Sequence, residues 1–147
     1  MREAIGNSFL VTLSIVFLFL IMALLVSSLS YSKAYKAKNK VVSVIEKYDG
    51  FTEDAVSEID TDLYKMGYKT NTTGRSCKEY YNEDVVLLHD TEAGKHDYCV
   101  YEVSSTRGKY YHVVTYMHFD IPVIGQYLTF EVRGDSRTIY GNGRLEG

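Results

Sequence analysis

The 147 residues suffice for one domain and an anchor, since a domain usually takes roughly 100 to 150 residues, and two full domains are excluded. The formal net charge of −3 conceals an asymmetry: residues 1–40 hold five of the sixteen basic residues and one of the nineteen acidic ones, which leaves residues 41–147 a net of −7. That acidity excludes a nucleic-acid partner, which needs clustered Lys and Arg, while a single proline and fourteen tyrosines describe a compact strand-bearing domain rather than a low-complexity tail.

From Ala4 through Ser32 there is no charged residue, and Phe9–Val26 is apolar apart from Thr12 and Ser14. At 1.5 Å per residue this run covers roughly 27 Å, close to the ~30 Å hydrocarbon core of a bilayer. A transmembrane helix over residues 9–28 is therefore expected, behind a short cytoplasmic N-terminus of residues 1–8. A core helix apolar around its whole circumference would need a far larger protein to cover it. A cleavable signal is the other reading, with Ser27, Ser28 and Ser30 ahead of a cut before Tyr31; against it, the run exceeds the usual h-region of about 7 to 15 residues, and Arg2 is offset by Glu3.

Beyond the span, Tyr31, Ala34, Tyr35, Val41, Val44, Ile45 and Tyr48 recur mostly at three- and four-residue spacing, with Lys33, Lys36, Lys38 and Lys40 between them. No Gly or Pro interrupts the chain from Asn7 to Asp49. One continuous helix of about forty residues, roughly 60 Å long, is expected, its second half an amphipathic stalk over residues 29–49 that Asp49 and Gly50 end.

The four lysines after the span place the distal domain in the cytoplasm by the positive-inside rule. The cysteines point the other way. Cys77 and Cys99 are the only two and fit no metal-ligand spacing; a pair in a short acidic domain behind an anchor reads as a disulfide formed outside the cytoplasm, with two buried thiols as the alternative.

In the distal part, residues 50–147, Thr52 to Met66 has a cap, early acidic residues and the apolar stripe Ala55, Val56, Ile59, Leu63 and Met66, and Gly67 stops it. A polar loop over residues 70–82 follows, and then the period changes to two. Strands are expected at Val85–Leu88, around Cys99, Tyr101 and Val103, at Lys109–Phe119 and at Tyr127–Arg133, with a turn at Arg107 and Gly108 and an apolar connection at Ile121–Gly125. In the third strand Tyr111, Val113, Thr115, Met117 and Phe119 share one face, and Tyr110, His112, Val114, Tyr116 and His118 the other. In the fourth, Leu128, Phe130 and Val132 face inward. The fold class is α+β: a long N-terminal transmembrane and stalk helix plus a short helix, packed on a small antiparallel sheet.

The short polar N-terminus (MREAIGNS), the apolar helix, the Lys and Tyr stalk, and the C-terminal strand–IPVIG–strand passage together resemble type IV pilin-like proteins, and within them the TadE-like minor pilins or pseudopilins of Tad pili. The likeness covers the whole chain in architecture. It implies a filament subunit or assembly factor held in the membrane before extraction, with Gly6 and Asn7 flanking the candidate prepilin cleavage bond. The family's Glu five residues after that glycine is Val11 here. Expected partners are the lipid bilayer and like subunits or other pilin-like proteins meeting through the N-terminal helix. Lys33, Lys36, Lys38 and Lys40 are candidate contacts to acidic heads of neighbours. A membrane-anchored binding module that never polymerises is the alternative.

Little else carries chemistry. No nucleophile elbow, phosphate loop or His-Glu-x-x-His is present, so no enzyme activity, catalytic residue, metal or cofactor is expected. His89, His96, His112 and His118 lack ligand spacing and read as surface histidines. Arg133 to Ser136 spells RGDS, which a strand end and a Gly-Asp turn explain equally well, and Asn71-Thr72-Thr73 matches a glycosylation acceptor. Tyr80, Tyr81, Tyr98, Tyr110, Tyr116 and Tyr127 fall in loops or on the second faces of strands. They read either as partner contacts, with Tyr110, Tyr116 and Tyr127 the foremost candidates, or as half-buried structural rings.

Overall fold

The computed structural model describes residues 2–72, 74–80, 84–118 and 129–140, with side chains from Gly6 onward. Its elements are α1 (Arg2–Lys47), α2 (Glu53–Lys65), β1 (Val85–His89), β2 (Tyr98–Ser105), β3 (Gly108–His118) and β4 (Thr129–Asp135). The strands form one antiparallel meander in the order β1-β2-β3-β4. The α+β architecture read from the sequence is the observed one, pilin-like in its general arrangement. The expected connection Ile121–Gly125, together with Phe119, Tyr127 and Leu128, lies outside the described residues.

With no breaker before Asp49, α1 runs unbroken for 46 residues, about 69 Å at the helical rise. It ends in a Schellman motif: the N–H of Gly50 donates to the carbonyl of Ile45 (3.0 Å), and Asp49 takes the left-handed conformation at φ 49°. The residue that reverses the chain is thus Asp49, while Gly50 is buried with an ideal Cβ 3.4 Å from the Tyr111 hydroxyl. Helix α2 starts where Thr52 Oγ1 accepts from the N–H of Ala55 (3.3 Å) and ends in the same motif, with Gly67 at φ +62° and the Tyr68 N–H bonded to the carbonyl of Leu63 (3.0 Å).

The amphipathic half of α1 lies across β3 and β4. Ala37, Val41, Val44 and Ile45 from α1 and Ala55, Ile59 and Leu63 from α2 form the main core with Tyr98, Val100, Tyr111 and Val113 of the sheet. Val100 pairs with Val113 and Tyr98 with Thr115, so these residues share the helix-facing side. The small Ala34 and Ala37 bring the helix close enough for Thr115 Oγ1 to donate to the Ala34 carbonyl (3.0 Å). Val132 and Phe130 pair with Thr115 and Met117 on this face, but β4 is an edge strand: Val132 is half-buried and Phe130 is 53 % exposed.

The opposite face is also covered. Cys77, Cys99, Tyr101, Val114 and Tyr116 make a second core, joined by Val85 and Leu87. Its cover is the loop carrying Cys77, which the pattern of apolar residues left as plain polar chain. The sheet therefore has helices on one side and a stapled loop on the other.

Candidate functional site

Two regions combine unusual chemistry: the apolar span with its exit, and the stapled face of the sheet. In the span, the large side chains of residues 9–25 point outward on every side of α1, Phe9 at 67 % exposure and Leu25 at 57 %; Val26 is partly covered and Leu29 is again exposed at 67 %. Polar groups in it are self-satisfied. Thr12, Ser14 and Ser27 donate their hydroxyls to the carbonyls of Ser8 (3.0 Å), Leu10 (2.9 Å) and Ala23 (2.7 Å), one turn back, so no side-chain donor of these three faces hydrocarbon unpaired. The helix is long and apolar enough to span a membrane. Gly6 and Asn7 lie in its first turns and are exposed.

Each exit lysine has its own surroundings. Lys40 forms an ion pair with Asp62 of α2 (2.9 Å) and holds that carboxyl below its usual range. Lys38 sits 4.5 Å over the Tyr35 ring, and its stem crosses Gly134 of β4, where a Cβ would lie 2.6 Å from Lys38 Cδ. Both are engaged within the chain. Lys33 and Lys36 are exposed, and Lys33 lines a cleft of about 410 Å³ between α1, the Gly67–Lys69 turn and the end of β3.

On the stapled face, Cys77 and Cys99 form a disulfide across Cα atoms 5.9 Å apart. The N–H of Cys77 donates to Asp90 Oδ1 (2.6 Å), and Cys99 Sγ accepts from the Tyr116 hydroxyl (3.5 Å). Cys77, Cys99 and Asp90 come close enough for a metal, but both sulfurs are spent in the bond. Beside it lies a buried polar cluster that the sequence did not reveal, because its members come from scattered loops and strand ends. Asp97 is fully buried; Oδ1 accepts from Thr91 Oγ1 (2.9 Å), and Oδ2 lies 3.1 Å from His118 Nε2 and 3.8 Å from Arg75 Nη1. The latter two contacts have ion-pair distance without hydrogen-bond alignment. Arg75 also stacks 4.6 Å over the Tyr116 ring.

Tyr68 closes this cluster. Its hydroxyl accepts from the Tyr116 N–H (2.9 Å) and donates toward the carbonyls of Asp97 (2.8 Å) and Tyr116 (3.0 Å), at the point where the β2–β3 ladder opens. Burial raises its pKa well above that of a free phenol, and raises that of Tyr116 to about 12. These are structural hydroxyls.

Several expectations are corrected by these positions. Tyr116 and Tyr98 are buried, at 4 % and 0 %, because both faces of the central strands are covered, so neither offers a contact surface. Tyr110 is half-buried, Tyr80 is exposed and packs edge-on against Tyr101 (5.1 Å), and Tyr81 and Tyr127 lie outside the described residues. The histidines are not plain surface residues. His89 stacks on Tyr98 (4.4 Å) and is held below its ordinary pKa by burial, His96 is buried, and His112 pairs with Asp135. Asn71 is buried, its Nδ2 donating to Thr91 Oγ1 (2.9 Å) and the Arg75 carbonyl (2.7 Å), so the folded domain does not present it for glycosylation. The RGDS run makes no turn at Gly134: β4 continues through Asp135, and Ser136 is buried, bonded to the Tyr111 N–H (2.9 Å).

Comparison with protein families, characterised proteins and solved structures found no match to this chain.

Proposed function

We propose that the chain is a membrane-anchored, pilin-like structural or assembly subunit of a Tad or type IV-type surface filament, with its sheet domain outside the cytoplasm. The observation that carries this reading is the construction of α1. One uninterrupted helix is exposed on all sides over residues 9–25, where its large side chains are apolar, and over Ala34–Ile45 it is the spine of the head's core. Such a helix needs an apolar environment, and a bundle of like helices supplies one as well as lipid does, so transfer from bilayer to filament carries little hydrophobic cost. The disulfide supports the extracytoplasmic side, where oxidising conditions maintain it. The exposed Lys36 supplies a basic group for the acidic heads of neighbours.

One observation favours a second reading, an anchored accessory module that does not polymerise. Val11 stands where pilin-like chains place a glutamate, so the pairing of that carboxylate with a neighbour's N-terminus is missing. Fractionation separates the two readings. Recovery of the chain in filaments sheared from the cell surface is expected for a subunit; strict confinement to membranes would rule it out.

A further inference from the structure

We propose that the cleft at the membrane exit is a binding site for the headgroup of one anionic phospholipid, a reading that rests on α1 being a membrane anchor. The cleft is bounded by Val26, Leu29, Ser30 and Lys33 of α1 and, across from them, by Tyr68 and His118 among the head residues. Its composition changes along the helix axis. The partly covered Val26 and the exposed Leu29 end the apolar span, Ser30 offers a hydroxyl, and Lys33 places an ammonium one turn further, about 6 Å beyond Leu29 at the helical rise. The headgroup zone adds roughly 5 to 8 Å to each side of the hydrocarbon core, so an ammonium at that height meets lipid phosphate.

The head starts immediately above. Ala34 already packs against Met117 of β3, which leaves the cleft pressed between the bilayer surface and the sheet. Among the described residues, the carboxylate nearest the His118 wall is Asp97, and it is buried behind that ring, with Thr91 and Arg75 around it. The cleft thus presents positive charge above an apolar wall. An acidic side chain from a neighbouring subunit would use the charge alone, whereas a diacyl phosphoglycerol uses both, its phosphate at Lys33 and an acyl chain along Val26 and Leu29.

The test reconstitutes the full chain in nanodiscs of phosphatidylglycerol, of phosphatidylcholine, and of an equal mixture, and counts lipids retained on the ejected protein by native mass spectrometry. Co-elution with both pure nanodiscs reports the anchor independently of the cleft; failure to enter either would overturn both readings. From the mixture the expected result is one retained lipid per chain, with about tenfold preference for phosphatidylglycerol. Lys33→Glu is expected to abolish that preference and Lys36→Glu, an equal charge change at an exposed position outside the cleft, to keep it. The site would be overturned by no lipid preference, by equal loss in both variants, or by displacement of the lipid by inorganic phosphate. Loss of subunit cross-linking in Lys33→Glu with lipid retention unchanged would assign Lys33 to a neighbour instead and equally overturn it.

Discussion

At the residue scale, single side chains hold breaks in the backbone pattern. The Tyr68 hydroxyl joins three backbone groups at the open end of the β2–β3 ladder. Tyr68→Phe removes it while keeping the ring, and is expected to cost about 2 to 3 kcal/mol, the penalty for buried backbone groups left unpaired, as read by urea unfolding. Gly67 is needed for its backbone: at φ +62° with open space around an added Cβ, Gly67→Ala should cost only the strain of that conformation, about 1 kcal/mol. Gly108 is needed for space as well, since an ideal Cβ would lie 2.7 Å from the Ile139 carbonyl oxygen. His89 gives a pH signature. Its pKa is lowered in the fold from 6.5, so the unfolded chain takes up its proton first, and stability is full above 6.5 and declines as pH falls below it. His89→Phe keeps a ring against Tyr98, and should flatten unfolding midpoints between pH 6.5 and about 5, above the range in which carboxylates titrate.

At the element scale, the helices and the central strand faces were legible because each obeys one period. The stalk's three- and four-residue spacing became the buried stripe Ala34, Ala37, Val41, Val44 and Ile45, and the alternation in β3 assigned its two faces correctly. Alternation could not say that both faces would be covered. That information sat in the loop over residues 70–80, whose only signal was Cys77, and in Asp97, Arg75 and His118, which are far apart in sequence. Tyr98 and Tyr116, read as partner contacts or half-buried structural rings, therefore proved to be core. The staple closes a separation of 22 residues, for which chain entropy gives a stabilisation of about 3 kcal/mol. Reduction, or Cys99→Ser, should lower stability by that order and expose the Tyr101 and Tyr116 face to a hydrophobic dye. The helix-sheet contact is equally specific: Ala37 is 0 % exposed, and Ala37→Leu should cost about 1 to 3 kcal/mol by overpacking, measured by thermal unfolding.

At the scale of the whole molecule, one helix does two jobs, and the boundary between them is abrupt. Leu29 is 67 % exposed and Ala34 1 %, so the head begins about one turn above the span. The same lysines that set the positive-inside rule against an external head divide by position. Lys38 and Lys40 are tied into the head, and Lys33 and Lys36 remain at the exit. The central proposal requires that the apolar span of α1 stay joined to the head, because a cut at its exit would free the head from any membrane or helix bundle. The direct measurement is the intact mass and N-terminal sequence of the mature chain taken from cells. A filament subunit is expected to keep the apolar span and to begin at Asn7, after cleavage at Gly6. A mature chain beginning at Tyr31 would mean that the span is a discarded signal, and the proposal would fail.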